Sequence, residues 1–236
     1  MSQNAQASTL PASNAGAGGN RAANGNALRS EEASQRGSES QSCVESLSQR
    51  LRSETAVLHQ EIERRLDLPA SITSIDRYLT CLALFYRLYR PLEAGLKNFN
   101  QWSKIGISLN DRLQAPRLAR DLSVLGVAPV LMLDAPADAL PDMPTFAHAA
   151  GVLYVMEGST LGSPFILRHL QRSLGGQLAG ATAFFGAHGA STGERWKSFT
   201  QSVDAYGSSR LNAKVVDGAV AAFHAIGEWI GHGIER

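Results

Sequence analysis

Residues 154–167 read YVMEGSTLGSPFIL, a run whose first half continues an apolar, helix-like pattern and whose second half works against it. Gly158 and Gly162 lie four apart, and Ser163-Pro164 follows at once. Four residues span one turn plus ~40°, so the two glycines share a face. Each costs roughly 1 kcal/mol against alanine in a helix interior. In exchange the helix gains a strip of bare backbone that a flat group can approach, widened by the small side chains of Ser159 and Ser163. Pro164 has no amide hydrogen and meets the carbonyl of Thr160 one turn back, so a bend is expected here. Small residues four apart also let two helices pack closely, and the stretch alone leaves both uses open.

Around this run the pattern is helical throughout. Residues 45–66 carry Leu47, Leu51, Ala56, Leu58, Ile62 and Leu66 at spacings that suit an apolar stripe. Thr73-Ser74 offers an N-cap to an amphipathic helix over 75–89, with Pro91 either kinking it or opening a continuation to about Lys97. Residues 110–125 look helical, with Pro116 near the start and Gly126 as a stop, while 129–144 holds four prolines and reads as a loop. The longest pattern opens at Pro144-Thr145 and runs to about Leu174, ending at Gly175-Gly176. Ser191-Thr192 caps a helix through about Tyr206, and a last one runs from Asn212 to about Ile230. Strand alternation is weak and no internal repeat is evident, so the expected class is all-α with about six or seven helices.

Residues 1–44 are mostly Ala, Ser, Asn, Gly and Gln. Such a segment buries too little apolar surface to offset its ordering entropy, and a disordered tail is expected. It lacks the apolar core of an export signal, and Glu31, Glu32 and Glu39 argue against a mitochondrial leader. Residues 45–236, roughly 190 in all, suit one domain with a sizeable core. A net charge of +1 gives no bias toward nucleic acid or anionic membrane. Apolar runs fall well short of the ~20 residues a membrane span needs. Cys43 and Cys81 supply neither a disulfide framework nor a metal motif. A soluble, cytoplasmic protein is expected.

Among six histidines, none shows the paired spacing of a zinc site. His59 stands out because Glu63 follows one turn later, where it can accept a hydrogen bond from one ring nitrogen and leave the other as a lone pair. Arg52 lies two turns up on nearly the same face, about 10 Å along the axis at ~1.5 Å per residue. A histidine and a cation so placed suit a haem, the imidazole on iron and the guanidinium on a propionate. A histidine with a glutamate four later also occurs on ordinary exposed helix faces.

Residues 51–63, LRSETAVLHQEIE, carry a Thr-x-x-x-His-x-x-x-Glu run that resembles the proximal helix of haem oxygenases, and residues 154–167 resemble their kinked distal helix. The EGSTLG form over 157–162 is similar to the branch associated with bacteriophytochromes, as are RLARDLSVLG over 117–126 and RWKSF over 195–199. The likeness covers roughly Ser46 to Trp229. It implies a haem-oxygenase-like multi-helix bundle over 45–236. It implies haem as both substrate and cofactor, with iron held axially by His59. Glu63 falls on the partner of that histidine, and Gly158 and Gly162 on the distal face with Ser163 beside them. Arg52 falls on a propionate position and Lys197 on another. The implied activity opens haem at a meso carbon to biliverdin with loss of iron and carbon monoxide.

The resemblance implies that catalysis falls to Gly158, Gly162 and a water-holding Ser159. No nucleotide or flavin motif is visible, so the implied electron donor is external: a ferredoxin-like protein, a flavoprotein or a small reductant. A bacteriophytochrome is the implied recipient of biliverdin. Two departures stand out. Ser159 sits where many relatives have an aspartate, and Ser163-Pro164 replaces a glycine and a polar or basic residue. The added hydroxymethyl is expected to crowd the haem and the proline to move the kink. Two alternatives stay open: a haem-binding carrier or sensor without turnover, and a helical interaction domain of the same fold.

Overall fold

The computed structural model describes residues 45–208 and 210–234; the expected tail over 1–44 lies outside them. Among the described residues there are seven α-helices and no strand. They are α1 (Leu47–Leu66), α2 (Ile75–Leu96), α3 (Ala115–Val124), α4 (Phe146–Ser159), α5 (Ser163–Ser173), α6 (Thr192–Tyr206) and α7 (Asn212–Ile234). Short 3-10 turns join several of them. The all-α expectation holds, and the bounds differ from the sequence pattern mainly where α4 gives way to α5.

α1 begins with a capping box, in which the Ser46 hydroxyl accepts from the Gln49 amide and the Gln49 side chain accepts from the Ser46 amide. Asp204 near the end of α6 accepts from both the amide (2.6 Å) and the hydroxyl (2.8 Å) of Ser48, which ties the start of α1 to α6. Of its apolar stripe only Leu47 and Leu51 are buried, joined by Thr55. Ala56, Ile62 and Leu66 instead line a cleft.

α4 is buried almost all round, from Phe146 to Glu157, as a central helix must be. It packs on α7 at backbone distance. A Cβ on Gly151 would meet Val215 O and, at 2.6 Å, Ala219 N; a Cβ on Gly218 would meet His148 O and, at 2.7 Å, His148 Cα. Close helix packing therefore rests on Gly151 and Gly218.

Pro91 lies inside α2. A proline there has no amide hydrogen for the carbonyl four residues back, which is that of Arg87. The Ala135 amide donates to Arg87 O at 2.9 Å, so a loop residue takes the vacant place. Arg87 Nε donates to Leu133 O (2.8 Å) and Arg90 Nη2 to Met132 O (2.9 Å), fastening the same loop to α2. Pro91 thus neither ends α2 nor opens a separate helix.

The single long helix expected from Pro144-Thr145 to Leu174 is two helices. α4 stops at Ser159, a 3-10 turn covers Thr160–Gly162, and α5 starts at Ser163. Pro164 occupies the first turn of α5, where a missing amide hydrogen costs nothing. The break precedes the proline, which starts a new helix rather than bending an old one.

Candidate functional site

Thr55, Ala56 and His59 of α1, Gly158 and Ser159 of α4, and Gly162 and Ser163 at the break line one cleft of about 1010 Å³. That is the upper end of the ~300–1,000 Å³ usual for small-molecule sites. Aromatic rings fill much of the remaining wall: Phe85, Tyr89, Tyr154, Phe184, Phe185, Trp196 and Phe223. Two of them are placed by α3. The wholly buried carboxylate of Asp121 accepts from the amides of Ala183 and Phe184, both at 2.8 Å, and fixes the segment that carries Phe184 and Phe185. Burial raises the Asp121 carboxyl above its ordinary value while the two amides pull it down. Leu161 and Phe165, 44% and 56% exposed, form an apolar rim that a large flat ligand would cover.

His59 Nδ1 stands 3.5 Å from Glu63 Oε2, and its ring meets Phe223 edge-on with centroids 6.0 Å apart. The side chain is 51% exposed, and Nε2 has no hydrogen-bond partner among the described residues. Arg52 lines the same cleft, exposed, two turns along α1.

Gly162 has helical angles (φ −77°, ψ −16°), and neither cleft glycine is in the left-handed region. Backbone conformation therefore does not demand glycine. Protein packing does not demand it either. A Cβ on Gly158 would lie 3.6 Å from the Trp196 ring, and one on Gly162 would lie 3.9 Å from Ile166 Cδ1, both ordinary contacts. What a side chain would occupy is cleft.

The Ser159 hydroxyl donates to Met156 O at 2.7 Å. Its single hydrogen is thus committed, so the 2.8 Å contact with the Tyr89 hydroxyl must have Tyr89 as donor. Burial pushes the Tyr89 phenol up to about 12, against a lowering by Ser159. Ser159 is exposed and lines the cleft, and the protein leaves one acceptor position of its hydroxyl unused. Ser163 lines the cleft too but is only 8% exposed, so its hydroxymethyl takes up little of the open wall.

Behind the glycines, Glu157 is buried and paired with Arg112 Nη1 at 2.6 Å, and Arg112 lies 5.2 Å over the Phe199 ring. Burial raises the Glu157 carboxyl, and Arg112 is the largest influence pulling it back. Lys197 is the one sequence candidate that the cleft does not gather: it is exposed on α6 and not among the lining residues, whereas its neighbour Trp196 is. Tyr89, the aromatic walls and the Arg112–Glu157 pair were missed in the sequence. For Tyr89 and Glu157 the one signal was a polar-tipped or charged residue inside a strongly apolar helical run.

A search of curated proteins finds no match. Among solved structures, a haem oxygenase from Neisseria meningitidis, described in its NO- and CO-bound forms, is similar in fold with a TM-score of 0.65. It is 21% identical, and the match covers 80% of this chain and 92% of that one. The profile of the haem oxygenase family matches residues 45–231. The match takes in every residue of the cleft just described, and the chain belongs to the haem oxygenase family.

Proposed function

We propose that this haem oxygenase holds its macrocycle in the cleft between α1 and the α4–α5 break, with Nε2 of His59 on the iron. The product is biliverdin, opened at one meso carbon, with release of iron and carbon monoxide. The observation that carries the assignment is the pair of glycines. They line the same cleft as His59, and neither backbone angles nor protein packing excludes a side chain at either.

Bound haem supplies the iron at which oxygen is activated. The chain supplies the rest. Glu63, 3.5 Å from Nδ1, orients the imidazole. Arg52 meets a propionate at the open edge, and Lys197 reaches a propionate over the rim from outside the cleft. Among the lining residues the carboxylate and the imidazole come only from α1, so the glycine wall brings no acid or base of its own. Ser159, its hydrogen given to Met156 O, accepts from a water in the cleft. Ser163 borders that wall without crowding it. Electrons come from an external donor, whether ferredoxin-like, flavoprotein or small reductant. The EGSTLG form over 157–162 supports delivery of biliverdin to a bacteriophytochrome. The working unit is residues 45–236, since the lining residues run from Arg52 to Ile226. No described helix is long and apolar enough to cross a membrane.

The test adds hemin to the protein and to His59→Ala, records the spectra, then supplies reductant and air. The parent is expected to give a Soret band that yields to biliverdin absorption. In His59→Ala the rate of biliverdin formation should fall by more than ~100-fold, beyond what loss of an outer-shell partner does. Unchanged iron ligation and yield in that variant would remove His59 from the iron.

A further inference from the structure

A second cleft, about 430 Å³ and polar, is lined by Asn110, Asp111, Leu113, Pro116, Arg117 and Arg195. It shares no lining residue with the first. Neither of its cations makes an ion pair among the described residues, although the carboxylates of Glu93 and Glu157 act on them from a distance. Arg117 Nη1 donates to Leu113 O (3.0 Å) and Gln114 Oε1 (3.4 Å), and Arg195 Nη2 donates to Asp111 O (2.9 Å). All three acceptors are uncharged. Arg195 Nε is buried with no hydrogen-bond partner. The nearby carboxylates form no ion pair with either arginine, although Asp111 itself lines the cleft. Glu93 accepts from the amides of Gln114 and Ala115 at 2.5 and 2.9 Å, Glu157 is held by Arg112, and the exposed Asp111 carboxylate makes no ion pair.

Leaving a guanidinium nitrogen buried and unpaired is costly, and two guanidiniums converging on one cleft repel. An anion between them removes both penalties. We propose that this cleft is an oxyanion site, in which Arg117 and Arg195 clasp a phosphate group, free or as a monoester, with the Asn110 amide as a further donor. The volume leaves room for a small group attached to the phosphate. The 3-10 turn Asn110–Arg112 that lines the cleft also carries Arg112, whose ion pair reaches Glu157 beside Gly158. Occupancy therefore bears on the helix that walls the haem cleft.

Calorimetric titration of the full chain with inorganic phosphate, in a buffer free of other oxyanions, tests the site. Saturable binding is expected, weakened at least ~10-fold in Arg117→Gln and in Arg195→Gln. A second readout does not depend on the variants folding. His188 Nε2 lies 3.2 Å from Gln114 Nε2, and burial and then Arg195, Arg117 and Arg112 hold its imidazole down to about 4. Phosphate among those arginines must raise that value, which NMR titration of the His188 ring reads directly. Absence of saturable binding, binding in either variant as tight as in the parent, or an unmoved His188 would overturn the proposal. A phosphate monoester that binds as tightly as phosphate assigns the ester as ligand; one that is excluded assigns the free ion. Either result leaves the site standing, and neither depends on haem turnover.

Discussion

The hydroxyl hydrogen of Ser159 goes to Met156 O and that of Tyr89 goes to Ser159, so the two residues are unequal partners. Tyr89→Phe removes a donor and leaves the Ser159 bond to Met156 intact. Ser159→Ala leaves a phenol that is 2% exposed with nothing to donate to. Stranding such a group costs about 1–3 kcal/mol, whereas deleting it costs about 1 kcal/mol or less. Ser159→Ala is therefore expected to melt lower than Tyr89→Phe by several degrees, at ~2–4 °C per kcal/mol in a chain of this size. Thermal melts of the haem-free proteins check the order. Ser159 was legible in the sequence because it sits between two glycines in a recognisable run. Tyr89 was not, since its partner lies 70 residues away and only the fold brings them together.

Glycines on α4 carry two unlike tasks, and substitution separates them. At Gly151 an added methyl would strike the backbone of α7 at Val215 and Ala219, which cannot yield without parting the helices. Gly151→Ala is expected to destabilise by about 3 kcal/mol, the upper range for overpacking. Gly158→Ala meets only an aromatic ring at 3.6 Å and gains helix propensity worth up to ~1 kcal/mol. It should melt no lower than the parent yet bind hemin more weakly, because the methyl stands in the cleft. Denaturant melts and hemin titrations of both variants check the pair, and a Gly158→Ala protein that bound hemin unchanged would remove the bare wall from the account. The helices themselves were legible from periodicity and, at Ser74, from a cap, whereas the capping box at Ser46 was not. The α4–α5 break was legible only as a bend. Its form depends on the 3-10 turn at Thr160–Gly162, and periodicity does not separate a bent helix from two short ones.

Across the whole molecule the cleft draws on α1, α2, α4, α5, α6, α7 and the segment after α5, all within residues 52–226. Removing residues 1–44 is expected to leave hemin affinity and biliverdin yield within about twofold of the full chain, a margin of ~0.4 kcal/mol. Hemin titration and turnover of residues 45–236 check this. The half of the candidate site that could be read in advance was the half written in short motifs, His59 with Glu63 and Gly158 with Gly162, which line one cleft. Lys197, read from a looser likeness, lies outside the cleft. The aromatic wall escaped because burial in a shared core and burial against a ligand leave the same apolar signature in one sequence. One further property of the whole follows from Pro91. The Arg87 carbonyl, left open by that proline, is closed by the amide of Ala135, a residue in an irregular segment. That amide can exchange with solvent only when α2 lets go of it. The segment, which includes only short 3-10 turns of its own, is thus tied to the opening of α2 and presents Val130, Leu131 and Leu133 outward from that anchor.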